Sequence, residues 1–169
     1  MNIHTRRLEL KSITDKDRYN VIDILTDSKI KKTYMIPDFE TEEQLEKMFQ
    51  RFKELSLKEG FYQAGIFLEE EFIGWVNEVE RENNKIELGY VIATKHHNKG
   101  YATEMLDAMI TKLHEDGFSE VITGAFEGNL ASMRVMEKCG MTKLDKIDKI
   151  EYRGVVHNCV YYSKQNPNE

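Results

Sequence analysis

Hydrophobic and polar positions along the chain fall into two kinds of period, and the period changes several times. Leu8-Glu9-Leu10-Lys11 alternates and predicts a short strand. Thr14 with Asp17 three positions on resembles a helix N-cap, and Val21, Ile22 and Leu25 then repeat at helical spacing. Thr41-Glu42-Glu43-Gln44 reads as a capping box for a helix whose apolar face is Leu45, Met48, Phe49, Phe52 and Leu55, with Gly60 expected at its C′ position. From Phe61 the period becomes strand-like. Phe61 to Leu68, Phe72 to Glu80 and Lys85 to Thr94 are three candidate strands, joined by Glu69-Glu70-Glu71 and by Arg81-Glu82-Asn83-Asn84. Turns this short predict an antiparallel meander.

A second helix pattern follows, with Ala102, Met105, Leu106, Met109, Ile110 and Leu113 on one face and Gly117 at its end. Glu120 to Phe126 reads as an apolar strand, Leu130 to Lys138 as a short helix before Gly140, and Met141 to Glu151 with Val155 to Ser163 as a hairpin around Arg153-Gly154. The order predicts an α+β fold of about seven strands and about four helices. Its sheet is mostly antiparallel, with a parallel step across the helix after Gly100.

Composition adds bounds. The 169 residues fit a single domain spanning 1–169, and 40% hydrophobic with 32% charged residues is the make-up of an ordinary globular chain. Two cysteines, Cys139 and Cys159, match no metal-ligand spacing and read as reduced, buried thiols, so no metal is expected. The first ten residues lack an apolar core, so no signal peptide is expected, and no run approaches the ~20 apolar residues that span a bilayer. A cytoplasmic protein without membrane contact is expected. The net charge of −6 argues against a nucleic-acid partner and mildly favours cationic substrates.

The segment with chemistry is Lys95-His96-His97-Asn98-Lys99-Gly100, between a strand and a helix. A helix start leaves backbone N–H groups unpaired and carries about half a positive charge, which suits a pyrophosphate. Gly100 would let the backbone approach such a ligand, and a β-branched residue there should block it. The segment is neither a dinucleotide fingerprint nor a Walker loop. Gly100 as a plain turn residue is the alternative reading.

Three ordered stretches carry a resemblance: Glu87-Leu88-Gly89-Tyr90-Val91-Ile92, then His97-x-x-Gly100-x-Ala102-Thr103-Glu104, then Asn129-x-x-Ser132-x-Arg134-Val135-Met136-Glu137-Lys138-Cys139-Gly140-Met141. Together they resemble the GNAT acetyltransferase superfamily, and within it the branch of ribosomal-protein serine/alanine N-acetyltransferases. Thr5-Arg6-Arg7-Leu8 and Tyr161-Tyr162-Ser163 resemble that branch too. The resemblance implies a mixed sheet whose parallel step is splayed at an acyl-CoA site, with acetyl-CoA as cosubstrate and an amine as acceptor. It implies that the main chain of Val91, Ile92 and Ala93 runs beside the pantetheine arm, and that the amides of Asn98, Lys99, Gly100, Tyr101, Ala102 and Thr103 hold the pyrophosphate. His97 stands where the family has Gln or Arg. Asn129 and Ser132 would face the far end of the arm. Asn129 as a simple cap of the helix at Leu130, and Ser132 as a solvent-facing polar residue, are the local alternatives.

Acyl transfer from a thioester needs a neutral amine, a polarised carbonyl and a proton for the leaving thiolate. A protein α-amine is roughly 10–20% neutral at pH 7, a lysine almost wholly charged. Backbone N–H groups near Val91 could donate to the carbonyl. Glu87 is the leading base, Glu78 and Glu80 are its competitors, and a surface ion pair is its structural alternative. Many superfamily members carry a tyrosine seven positions after the asparagine; here Met136 stands there, leaving Ser132, Tyr90 or a water to protonate the thiolate. Tyr34, Met35 and Phe39 form a possible acceptor lip, with core packing as the alternative. Tyr34, Glu78 and Tyr90 are thus candidate substrate contacts. The expected activity is acetylation of a primary amine, a protein N-terminus or otherwise a polyamine, amino acid or amino sugar. The rivals are a non-catalytic acyl-CoA sensor and a nucleotide or phosphosugar binder. A monomer and a homodimer, paired through an exposed strand edge, both remain open.

Overall fold

The computed structural model describes residues 1–168. The elements follow the predicted order: β1 (Ile3–His4), β2 (Leu8–Lys11), α1 (Arg18–Thr26), α2 (Glu42–Leu57), β3 (Gln63–Leu68), β4 (Glu71–Glu82), β5 (Lys85–Ile92), α3 (Tyr101–Glu115), β6 (Glu120–Phe126), α4 (Leu130–Lys138), β7 (Thr142–Tyr152) and β8 (Val155–Gln165). Four α-helices match the expectation. The eighth strand is β1, two residues long and paired with β2 through Ile3 and His4, too short to show a period in sequence. The sheet order is β1-β2-β3-β4-β5-β6-β8-β7. This is a mixed, mostly antiparallel α+β fold, as the element order predicts.

The chain divides into two compact units. One holds Met1–Asn77 and Tyr90–Tyr101, the other Glu78–Gly89 and Ala102–Glu169. In the first, β2 and β3 pair antiparallel from Leu8↔Leu68 to Lys11↔Gly65, and β3 pairs antiparallel with β4 across a bulge at Ile66/Phe67. Val21, Ile24 and Leu25 of α1, Phe49 of α2, and Phe72, Trp75 and Val91 of the strands form one core. Thr41 caps α2, accepting from the Gln44 amide at 3.2 Å. The helix stops at Leu57, so Gly60 lies beyond the C′ position and takes its φ of +74° in the turn toward β3. Gly74 serves a closer purpose. A Cβ there would sit 2.1 Å from the Val91 carbonyl oxygen, so only glycine lets β4 pass β5 at this point.

In the second unit α3 buries Met105, Leu106, Met109, Ile110 and Leu113, the predicted stripe. The two-residue turns Asn83-Asn84 and Arg153-Gly154 have positive φ throughout, the twist that tight hairpins require. The parallel ladder of β5 and β6 runs from Lys85↔Glu120 to Leu88↔Thr123. Beyond it β5 continues to Ile92 and β6 to Phe126, while β6 keeps its pairing with β8 to Phe126↔Cys159. Among the described residues no helix is long and apolar enough to cross a membrane, and no group of three His, Cys, Asp or Glu could hold a metal ion.

Candidate functional site

Strand geometry ends at Ile92, two residues earlier than the sequence pattern suggested, because Thr94–His96 closes into a single 3-10 turn. Each residue of that turn is tied down. The Thr94 hydroxyl donates to Asp27 at 2.6 Å, Lys95 pairs with Glu71 at 2.5 Å, and the buried His96 places Nε2 3.2 Å from the same carboxylate. The Lys95 hydrogen bond foremost, with His96, holds the Glu71 carboxyl below its ordinary range. His97 turns its ring back, Nε2 lying 2.7 Å from the Ile92 carbonyl oxygen. Asn98 (φ +59°) and Gly100 (φ +81°) then reverse the chain into α3.

This reversal leaves backbone donors without partners. Among the described residues no hydrogen bond within the chain uses the amides of Asn98, Lys99 or Gly100. They stand immediately before the first turn of a 15-residue helix, whose own leading amides are unpaired by construction. Arg7 braces the arrangement, donating Nη1 to the Lys99 carbonyl at 2.9 Å with its guanidinium 4.6 Å over the Tyr101 ring. A Cβ on Gly100 would meet only the far end of Arg7, at 3.3 Å. The positive φ, more than crowding within the chain, is what demands glycine there. The result is a cationic cradle of backbone donors suited to a pyrophosphate.

On the same unit Val91 and Ile92 are buried and Ala93 is half-buried, its amide donating to the Ile73 carbonyl at 2.7 Å. Tyr34 packs edge-on against Trp75, donates to Asn77 Oδ1 at 2.9 Å and accepts from the Trp75 indole at 3.3 Å. Burial pushes its phenol pKa up. Its place is the rim of the core, as the packing alternative had it, whereas Met35 beside it is exposed. Tyr90 is half-buried. A cavity of about 560 Å³ opens between Ala93, Thr94 and Lys95 and the Asn20, Asp23 and Asp27 side of α1.

The second unit gathers the acid–base groups. Glu87 is partly buried, and desolvation raises its pKa above the ordinary 4.5; Glu80 and Asp148 reinforce the shift and Lys146 opposes it. Glu78 pairs with Arg81 at 2.6 Å and has little exposed surface. Tyr161 lies on the same face, 7% exposed, its ring across from Gly124, where a Cβ would come within 2.8 Å of it. Burial first, then hydrogen bonding with Cys159 and Asp148, keeps its phenol protonated. Asn129 caps α4, accepting from the Ser132 amide at 3.2 Å, so the capping role is realised and the two residues sit together at that helix mouth.

A sequence model described as the acetyltransferase (GNAT) domain matches residues 7–142. The chain belongs to the GNAT acetyltransferase family. The N-acetyltransferase YoaA of Bacillus subtilis (strain 168), itself named as uncharacterized, is 26% identical over 99% of this chain and 98% of its own. The crystal structure of a GNAT-family acetyltransferase from Bacillus anthracis superposes with a TM-score of 0.84 at 25% identity, covering 98% of this chain and 99% of that one. The ribosomal L7/L12 α-N-protein acetyltransferase RimL, solved in complex with coenzyme A, superposes with a TM-score of 0.84 at 18% identity over 100% of both chains.

As a GNAT-type N-acetyltransferase the chain departs from the family at the position of the usual tyrosine. Met136 there is fully buried, on the inward face of α4. Cys139 is equally unsuited to covalent chemistry. It is buried, donates to the Thr103 carbonyl at 3.4 Å, and desolvation pushes its thiol up to about 11. Arg7, Lys146, Asp148 and Tyr161 were absent from the sequence-derived candidates. Arg7 sits 92 positions from Lys99, and the other three come from a terminal hairpin whose pattern reads only as strand.

Proposed function

We propose that this GNAT enzyme, acting as one acetyltransferase domain, binds acetyl-CoA at the loop before α3 and moves the acetyl group to a primary amine. A protein N-terminal amine is the acceptor in this reading. The observation that carries the cosubstrate is the trio of unpaired amides of Asn98, Lys99 and Gly100 at the start of α3, braced by Arg7. The coenzyme A complex of RimL supports the same choice. Val91, Ile92 and Ala93 offer main chain to the pantetheine arm, His97, Tyr101, Ala102 and Thr103 complete the cradle, and Asn129 and Ser132 offer polar contacts at the mouth of α4. The cosubstrate supplies an activated thioester carbonyl.

The chain's own residues handle the protons. The neutral amine attacks the thioester carbon, its nitrogen forming the new amide bond as the carbon–sulfur bond breaks. Glu87, directly or through water, accepts the proton that the nitrogen sheds. Its pKa, raised chiefly by burial, makes it a better base than an exposed carboxylate. Ser132 or a water returns a proton to the thiolate, and Tyr90 flanks the acceptor. The preference for an N-terminus draws on the likeness to RimL and on the α-amine's larger neutral fraction. A thiol-release assay with acetyl-CoA tests it, using peptides with free and blocked N-termini beside small amines. Release with free-terminus peptides alone supports the N-terminal reading. Release with small amines alone transfers the proposal to them.

A further inference from the structure

Lys146 is held as a bound primary ammonium would be. Its Nζ lies 3.3 Å from the Asp148 carboxylate and 4.3 Å over the face of the Tyr161 ring, an ion pair and a cation–π contact on one group. The ring is a built platform. It is fixed against Gly124, where any side chain would collide with it, and the residue is buried. Asp148 and Glu87 both act on the Tyr161 phenol, and the Lys146 ammonium and the Asp148 carboxylate both act on Glu87. Lys146 lies in the irregular stretch between Lys143 and Ile147 where the β7–β8 register shifts, an interruption that redirects a side chain. The side chains of Lys146 and Asp148 are 55% and 47% exposed. A pair so open to water is weak and exchanges readily for another ammonium.

We infer that this face, built from Asp148 and the Tyr161 ring, binds a second ammonium group of the acceptor, which competes with Lys146 for the place. The inference rests on the acetyl-transfer reading and deepens it. The favoured acceptor carries two cationic nitrogens, one reacting and the other held here. An aliphatic diamine and a peptide with a lysine close to its free N-terminus both present that chemistry.

The test compares matched acceptors that differ only in the second charge: diaminobutane against butylamine, and free-terminus peptides with lysine or norleucine at the third position. The readout is the ratio of kcat/KM within each pair. The enzyme should favour the dication in at least one pair, and that pair identifies the source. Lys146→Ala should raise the ratio about tenfold, and Asp148→Asn should bring it toward unity. An unchanged or lower ratio in Lys146→Ala overturns the inference, because it makes Lys146 a structural group or a ligand for an acidic acceptor. Calorimetric titration of diaminobutane into both proteins separates this from the parent reading. If no acceptor releases thiol, acetyl transfer fails, and the site then stands or falls on whether Lys146→Ala binds diaminobutane more tightly.

Discussion

Glu87 and Gly74 show how a single position is decided by what surrounds it. Glu87 is driven toward its protonated form by burial, with Glu80 and Asp148 adding to the effect. A base must be ionised, so kcat/KM should fall on acidification through a pKa above the ordinary glutamate value, and Glu87→Gln should lower turnover across the neutral range and flatten that limb. The stability sign runs the other way. A carboxyl whose folded pKa is raised favours folding below its unfolded pKa and loses that contribution as pH rises through the folded one. Glu87→Gln should therefore melt at or above the parent temperature at pH 7, measured by scanning calorimetry; full turnover in that variant would remove Glu87 from the mechanism. At Gly74 the obstacle is steric. A methyl group 2.1 Å from the Val91 oxygen forces β4 and β5 apart, so Gly74→Ala should lose about 3 kcal/mol or more in denaturant unfolding.

At the scale of elements, the strand–loop–helix from β5 to α3 carries the cosubstrate reading. Its turn is fixed by Thr94, Lys95 and His96, and its reversal by the positive φ of Asn98 and Gly100. Valine is strained at such a φ, so Gly100→Val should weaken acetyl-CoA binding by about tenfold or more while the circular dichroism spectrum is retained. Equal affinity in that variant would place the ligand elsewhere. Much of this element was legible beforehand. The stripe from Met105 to Leu113 marks the helix, and Gly100 its entry. The braces were not, because Arg7 and Glu71 reach the loop only through tertiary folding. The same holds for Glu87, which lies on a predictable strand but whose pKa is raised by tertiary burial, with Lys146 opposing and Asp148 reinforcing the shift from some sixty residues away in sequence. Period identifies an element; it is silent on which charges other elements bring to it.

For the molecule as a whole, the match of the acetyltransferase (GNAT) model to residues 7–142 agrees with an element order readable from hydrophobic period alone. What that order could not reveal is the two-residue β1 or the short reach of the β5–β6 ladder, both set by hydrogen bonding between distant segments. The central claim is that this GNAT chain is built around acetyl-CoA, and isothermal titration of acetyl-CoA, with ADP as competitor, tests it most directly. The expected result is saturable one-to-one binding in the micromolar range that ADP displaces only weakly. Absence of binding, or ADP binding as tightly as acetyl-CoA, would contradict it.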